Sequence, residues 1–505
     1  MTGRVRLANL YTDLDARLDA LRADSNVINR SRGVVENALG DGNTYYGINT
    51  GFGVLANQRI SDAQVAELQR NLILSHSVGV GEPLPRELSS LMLRLKIHAL
   101  AQGYSGVSRT TFDRLLWHDQ QGLVPYIPSR GSVGASGDLA PLAHLALPLL
   151  GQGRVWVEGC SDAVPTAEAL AARDTKPIEL QAKDGLALIN GTQLMSAHAA
   201  FTLHRALHLV KLADVIAAMS LEALQGSVAP FDERIARLRP HPGHEAVAAN
   251  IRELLIDSEI LESHRDCGKV QDPYSLRCVP QVHGASRDAL AHANGVVETE
   301  INSVTDNPLV FEDDSGGGGI VSGGNFHGQP LALVIDYAAI ALAELASISE
   351  RRTFLLLEGH DGLPRLLMQE TGVNSGFMIP QYTAAALVSE NKVLCHPASV
   401  DSIPTCLGQE DHVSMGSIGA LKLVQVLKNV EHVLAIEMMT AAQALDYRLP
   451  LKAGRGVVAA HEYIRSRIPH READGVFRDD LEGALSLVQT PVVIDTLAAA
   501  GTELR

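Results

Sequence analysis

"LADVIAAMSLEALQG", residues 212–226, decides how this chain folds. Leu212, Val215, Ile216 and Met219 stand at i, i+3, i+4 and i+7, the spacing that puts apolar side chains on one face of an α-helix. The pattern reaches back to about Leu194, and Gly226 and Pro230 stop it. Three further segments read the same way. One covers about residues 281–303 and closes at Asp306-Asn307-Pro308, one opens with Pro330 as a first-turn residue and runs past Glu350, and one covers about residues 413–445. With aromatic residues at only 4%, these alanine-rich segments suit close antiparallel helix packing better than a sheet. A mainly α protein built on a long helical bundle is expected.

Outward from the bundle, the first 190 residues are broken by glycine and proline, with short helices at about 62–73 and 86–101. They read as a separate, loop-rich domain, giving expected boundaries of 1–193 and 194–505. DDSGGGG, residues 313–319, reads as a flexible surface insertion. A length of 505 residues allows a large core, and a net charge of -16 without Lys/Arg runs argues against nucleic acid or an anionic membrane as partner. A small solute is expected instead. Cys160, Cys267, Cys278, Cys395 and Cys406 form no CxxC and no disulfide framework, which fits a reducing cytoplasm. The first residues lack an apolar signal core, and no run of about 18 apolar residues is uninterrupted, so neither export nor membrane spanning is expected.

The chemistry is concentrated in GSVGASGDLAPLAH, residues 131–144. Ser136 lies between Ala135 and Gly137 without the setting of a strained nucleophile elbow. Gly137 has no Cβ, so its amide nitrogen can approach the carbonyl carbon of Ala135. If that attack loses water and Ser136 loses its hydroxyl as a second water, the tripeptide becomes an imidazolone with an exocyclic methylidene. That is an electrophile no ordinary side chain offers. A glycine-rich loop before a helix, including a phosphate cradle, is the other reading, and the bare tripeptide does not decide between them.

The whole string resembles the signature of the histidine and aromatic amino acid ammonia-lyases. YGINTGFG (46–53), NLILSHSVGVG (71–81), GLALINGTQ (185–193), KVQDPYSLRCVPQV (269–282), DNPLVF (306–311), SGGNFHGQP (322–330), NSGFMIPQYTAAALVSENK (374–392) and QEDHVSM (409–415) resemble further blocks of that family in order. The resemblance covers about residues 40–450. It implies a fumarase/aspartase-like fold, with an N-terminal domain carrying the electrophile on a long central helical bundle. It also implies a homotetramer with active sites shared between subunits. The implied cofactor is a 4-methylidene-imidazol-5-one made from Ala135-Ser136-Gly137.

Within the family the variable blocks lean towards the histidine enzymes, which eliminate ammonia from L-histidine to give urocanate. Glu410 is the strongest pointer, because family members acting on phenylalanine or tyrosine carry glutamine there. A carboxylate accepts a hydrogen bond from an imidazole N–H, whereas a phenyl ring offers none. The resemblance also assigns roles. Tyr46 matches the loop tyrosine and is the candidate base, a task for which a phenol needs a lowered pKa. Arg277 matches the clamp on the substrate carboxylate, with a structural ion pair as the alternative, and Tyr274 lines the site beside it. Asn190 and Phe326 match residues supporting the electrophile. Gln271 matches a pocket residue, and His76 with Glu410 would hold the imidazole. His144, His283, His327, His396 and His412 show no HExxH or paired-ligand spacing, so no metal is expected.

Two places depart from the family's pattern. Thr405-Cys406-Leu407-Gly408 stands where the family has a polar run ending in asparagine, and Arg365 in EGHDGLPRLLMQETG (358–372) replaces a second proline. A tyrosine or phenylalanine ammonia-lyase, or an aminomutase of the same chemistry, is the alternative. An inactive helical scaffold is a further one, against which intact Tyr46, Ser136 and Arg277 stand. Nucleotide binding has no GxxxxGK[ST] motif to support it.

Overall fold

Apolar spacing at 3.6 residues per turn, with alanine filling the tight approaches, produces four long helices: Gln193–Ala223, Val279–Ile301, Gln329–Leu357 and Gly416–Asp446. Each lies within a few residues of its expected place. The computed structural model describes every residue except 1, 2, 42, 52, 54–59, 266, 267 and 313–317. Cys267, Phe52 and most of DDSGGGG therefore lie outside the described residues. Gly318 and Gly319, at the end of that segment, belong to a strand, Gly318–Val321, paired antiparallel with Leu309–Glu312. The protein is mainly α, with three small sheets of two or three strands among the described residues.

The chain packs as two units. The first comprises Met1–Phe201, Asn294–Asp336 and Pro397–Leu421; the second comprises Thr202–Ala293, Tyr337–His396 and Lys422–Arg505. This division differs from a single cut after residue 193, because four of its boundaries fall inside the long helices.

In the first unit, Val34 and Val35 of the helix Asn29–Gly40 share a buried core with Ile48, Val65, Ala182 and Val310. The helix Arg109–Gln120 starts at Ser108, whose hydroxyl accepts from the Thr111 N–H and donates to Asp184 Oδ2 at 2.7 Å. Asp184 is fully buried and also accepts from the Ser108 N–H, the Gln181 N–H and the Thr111 hydroxyl, so its oxygens are satisfied. Burial still raises its pKa above the usual carboxylate range, against those bonds. The anchored carboxylate fixes the helix Asp184–Ile189, and Asn190 follows directly.

In the second unit the helices are tied through a buried polar network. Arg352 and Glu437, both fully buried, pair at 2.5 and 2.8 Å, and the Ser220 hydroxyl donates to the same carboxylate at 2.6 Å. Asp214 pairs with His283 at 2.8 Å and with Arg287 at 2.7 Å. Burial pushes the Asp214 pKa up, but Arg287 and His283 outweigh it and leave it lowered. The helix Gln329–Leu357 is long and apolar enough to cross a membrane, yet 67% of its most apolar stretch is buried inside the protein.

Candidate active site

Two backbone segments cross at the centre of the site. The Asp138 N–H donates to the Gly191 carbonyl at 2.8 Å, and the Gly191 N–H donates to the Ser136 carbonyl at 3.5 Å. Gly137 has φ +78°, and a Cβ there would lie 2.1 Å from the Gly191 oxygen, so only glycine permits this approach. On the other side, Ala135 is buried with Val413 and Met415. The Met415 N–H donates to the Val133 carbonyl at 3.0 Å, and the Ser417 hydroxyl to the Ser132 carbonyl at 2.7 Å. The tripeptide is thus bracketed by residues 190–191 and 413–417.

Asp138 follows the tripeptide and is fully buried. It accepts from the N–H groups of Leu194 and Met195 at 3.0 and 3.1 Å, satisfying the first turn of the Gln193–Ala223 helix. Burial nevertheless raises its pKa to about 7 against those bonds. Lys96, also buried, donates to the Asn190 carbonyl at 2.6 Å, and burial lowers its pKa to about 8. The side-chain oxygen of Asn190 is buried without a hydrogen-bond partner among the described residues.

Glu410 meets the tripeptide directly. The Ser136 hydroxyl donates to Glu410 Oε1 at 3.1 Å, and the Thr405 hydroxyl donates to Oε2 at 2.7 Å. His76 ends the helix Val65–His76, with Nδ1 3.0 Å from the Ser75 hydroxyl. Burial lowers its pKa, outweighing the Leu72 carbonyl and the charge of Glu410, so its imidazole is neutral near pH 7. His76, Ala135, Gly137, Thr405 and Glu410 line a cavity of about 260 Å³, a size suited to a small molecule. Tyr46 is next to this group, its hydroxyl accepting from the Gly53 N–H at 3.5 Å. Its pKa is raised, first by burial and then by the charge of Glu410, with Gly53 opposing. That is contrary to the lowered value a base requires, and the cause is desolvation that no sequence pattern displays.

Phe326 lies half-buried in the turn before Gln329–Leu357. Beside it, His327 stacks on His412 with ring centroids 6.0 Å apart. Gln271, Tyr274 and Arg277 belong to the second unit. There the Arg277 guanidinium lies 4.5 Å from the Tyr274 ring centroid and Nε donates to the Asp272 carbonyl at 2.9 Å. No ion pair to Arg277 occurs among the described residues. Tyr274 is 69% exposed, and Gln271 borders an open cavity of about 840 Å³ within the same unit. The first unit therefore contains Tyr46, His76, Ala135-Ser136-Gly137, Asn190, Phe326 and Glu410, while Gln271, Tyr274 and Arg277 belong to the second.

Sequence reasoning missed Asp138, Lys96 and Thr405. Lys96 left a trace, as a lysine within the apolar helical run LMLRLKIHAL, residues 91–100. Asp138 carried no signal of its own, because the N–H groups it holds are more than fifty residues away in the chain; Thr405 stood in a stretch already marked as a departure from the family's pattern, but nothing there showed that its hydroxyl meets the Glu410 carboxylate.

A family model described as aromatic amino acid lyase matches residues 7–466, and the chain belongs to that family, making it a carbon–nitrogen lyase. Among its relatives, the histidine ammonia-lyase of Gloeobacter violaceus is 53% identical over 480 residues, covering 95% of this chain and 92% of that protein. The crystal structure of histidine ammonia-lyase from Trypanosoma cruzi superimposes with a TM-score of 0.87 at 42% identity, covering 96% of this chain and 93% of that one. Tyrosine aminomutase from Streptomyces globisporus superimposes with a TM-score of 0.88 at 35% identity, covering 97% and 98%.

Proposed function

We propose that this protein is a histidine ammonia-lyase, eliminating ammonia from L-histidine to give urocanate. The observation that carries the reading is Glu410, a carboxylate set beside Ser136 in a small cavity that His76 also lines. A carboxylate in that place accepts the N–H of an imidazole, for which a benzene ring has no counterpart. The 53% identity to a histidine ammonia-lyase over nearly the whole chain supports the same substrate.

Ala135-Ser136-Gly137 is the source of a 4-methylidene-imidazol-5-one. The residues present fit that group: Gly137 approaches Gly191 as no other residue could, and the buried Asn190 side-chain oxygen lacks a partner among the described residues. When formed, the group supplies an electrophile towards the substrate's amino group. The chain's own residues supply the rest. Arg277 offers a planar fork of donors to the substrate carboxylate, with Tyr274 stacked beneath it. Gln271 lines the pocket, and Phe326 and Asn190 support the tripeptide. Glu410 accepts the imidazole N–H, and His76, neutral, holds the ring beside it. Tyr46 Oη is the group placed to receive the β-proton; the Gly53 N–H favours its phenolate, against the burial that leaves its pKa raised.

The working enzyme is a cytoplasmic homotetramer whose sites draw on several subunits. Exposed Tyr274, stacked on an Arg277 that has no acidic partner among the described residues, supports a role for this pair towards another chain.

The test is to incubate purified protein separately with histidine, tyrosine and phenylalanine and to follow the conjugated acrylate product in the ultraviolet. Urocanate from histidine is expected, from a protein lighter than its sequence by two waters within the peptide spanning 135–137. Turnover of tyrosine with none of histidine overturns the substrate, and an intact Ala135-Ser136-Gly137 in active enzyme overturns the electrophile.

A further inference from the structure

Both oxygens of Glu410 are occupied by hydroxyls, Oε1 by Ser136 and Oε2 by Thr405. These partners have different futures. On the proposed reading of residues 135–137, on which this inference rests, Ser136 loses its hydroxyl together with its Cα hydrogen as water, and Oε1 is left without a donor. Thr405 keeps its hydroxyl. We propose that Thr405 is a positioning residue for the reaction: it holds Oε2 of Glu410 so that Oε1, released by Ser136, faces the substrate's imidazole N–H.

The backbone around the pair supports this. Thr405 and Glu410 are bridged, the Thr405 N–H donating to the Glu410 carbonyl at 3.0 Å and the Glu410 N–H to the Thr405 carbonyl at 3.4 Å. Between them Cys406, Leu407 and Gly408 have φ of +50°, +55° and +88°, so two non-glycine residues sit in the left-handed region. Leu407 is 94% exposed, so burial of its side chain does not offset that strain. What closes the turn is its two ends, which are the residue holding the carboxylate and the carboxylate's own residue. A threonine is stiff at χ1, which limits the directions its hydroxyl samples. Without the Thr405 hydroxyl on Oε2, the carboxylate would rotate about its last bond and average its direction over the cavity.

The experiment combines mass, fold and rate. Thr405→Val, Thr405→Ala and Thr405→Ser are made alone, and Thr405→Val also in a Glu410→Ala background. The positioning role is expected to leave the two-water mass deficit and the far-ultraviolet circular dichroism of Thr405→Val as in the wild type. It should lower kcat/KM for histidine roughly tenfold to hundredfold, the range for a hydrogen bond to a charged group. Thr405→Ser should recover most of the loss. In Glu410→Ala, where no carboxylate remains to be held, the added Thr405→Val should change the rate by less than about twofold. The same factor lost in both backgrounds means a structural role and overturns the proposal, as does a Thr405→Val rate within about twofold of wild type. If Thr405→Val misfolds, Thr405→Ala carries the comparison under the same criteria. A normal wild-type deficit that is missing from the folded variants also overturns it, by placing Thr405 in maturation. A wild type that shows no deficit sinks the reading of residues 135–137 instead, and this inference with it.

Discussion

At Glu410 one carboxylate carries most of the proposed substrate preference. Glu410→Gln keeps the shape and removes the charge, and hydrogen bonds to charged groups contribute about 1.5–3 kcal/mol. Expressed in the transition state, that is a loss of roughly tenfold to hundredfold in kcat/KM for histidine. Activity on phenylalanine or tyrosine should fall far less, since a half-buried carboxylate against a benzene ring is itself costly. Measuring kcat/KM for both substrates on both proteins checks it; equal losses would contradict the assignment. Asp138 gives a second test, through pH. Its pKa is about 7 in the folded chain and near 4 when unfolded, so the folded state holds the extra proton between those values. The stability this contributes is complete below about pH 4 and is lost as pH rises through about 7. Asp138→Asn removes the titration. The melting temperature of the wild type relative to Asp138→Asn should therefore decline from pH 4 to 7 and level off above about pH 8. A constant difference across that range would be the contrary result.

Among the elements, the helices Gln329–Leu357 and Gly416–Asp446 are linked by Arg352 and Glu437, both inaccessible to water. Glu437→Gln leaves the guanidinium buried without its counter-charge, which costs about 3–5 kcal/mol. Replacing both partners with apolar residues of similar volume should cost much less, because no uncompensated charge remains. Urea midpoints of the single and double variants separate these outcomes, and an equal cost for both would refute the account. The turn 405–410 explains one departure from the family's pattern. Gly408 lies at φ +88°, and glycine and asparagine are the residues that visit the left-handed region most readily. Glycine in place of asparagine therefore keeps the turn's shape and carries no sign of a changed substrate. Arg365 lies in the second unit, in a short turn where Leu366 has φ +58°.

For the whole molecule, the proposed homotetramer is tested by light scattering and by mixing. Tyr46→Phe and Arg277→Ala, each nearly inactive alone, should regain activity when subunits exchange, because intact copies of both residues then meet in some sites. Full activity in a monomeric species would contradict shared sites.

The helices and the reacting tripeptide were legible in the sequence because both are local. Apolar side chains at i, i+3, i+4 and i+7 specify a helix face within a few turns, and a glycine after Ala135-Ser136 announces its freedom in place. The same holds for the identity of Glu410, read from its own block. Tertiary structure alone decided what each of these groups meets. Ser136 and Glu410 are 274 residues apart in the chain and share a hydrogen bond only because the fold closes that distance. The raised pKa values of Tyr46 and Asp138 and the weakened Lys96 ammonium follow from removal of water, which depends on every neighbour at once. Periodicity records which side of an element turns inward; which charge waits there is settled by segments far away in the chain.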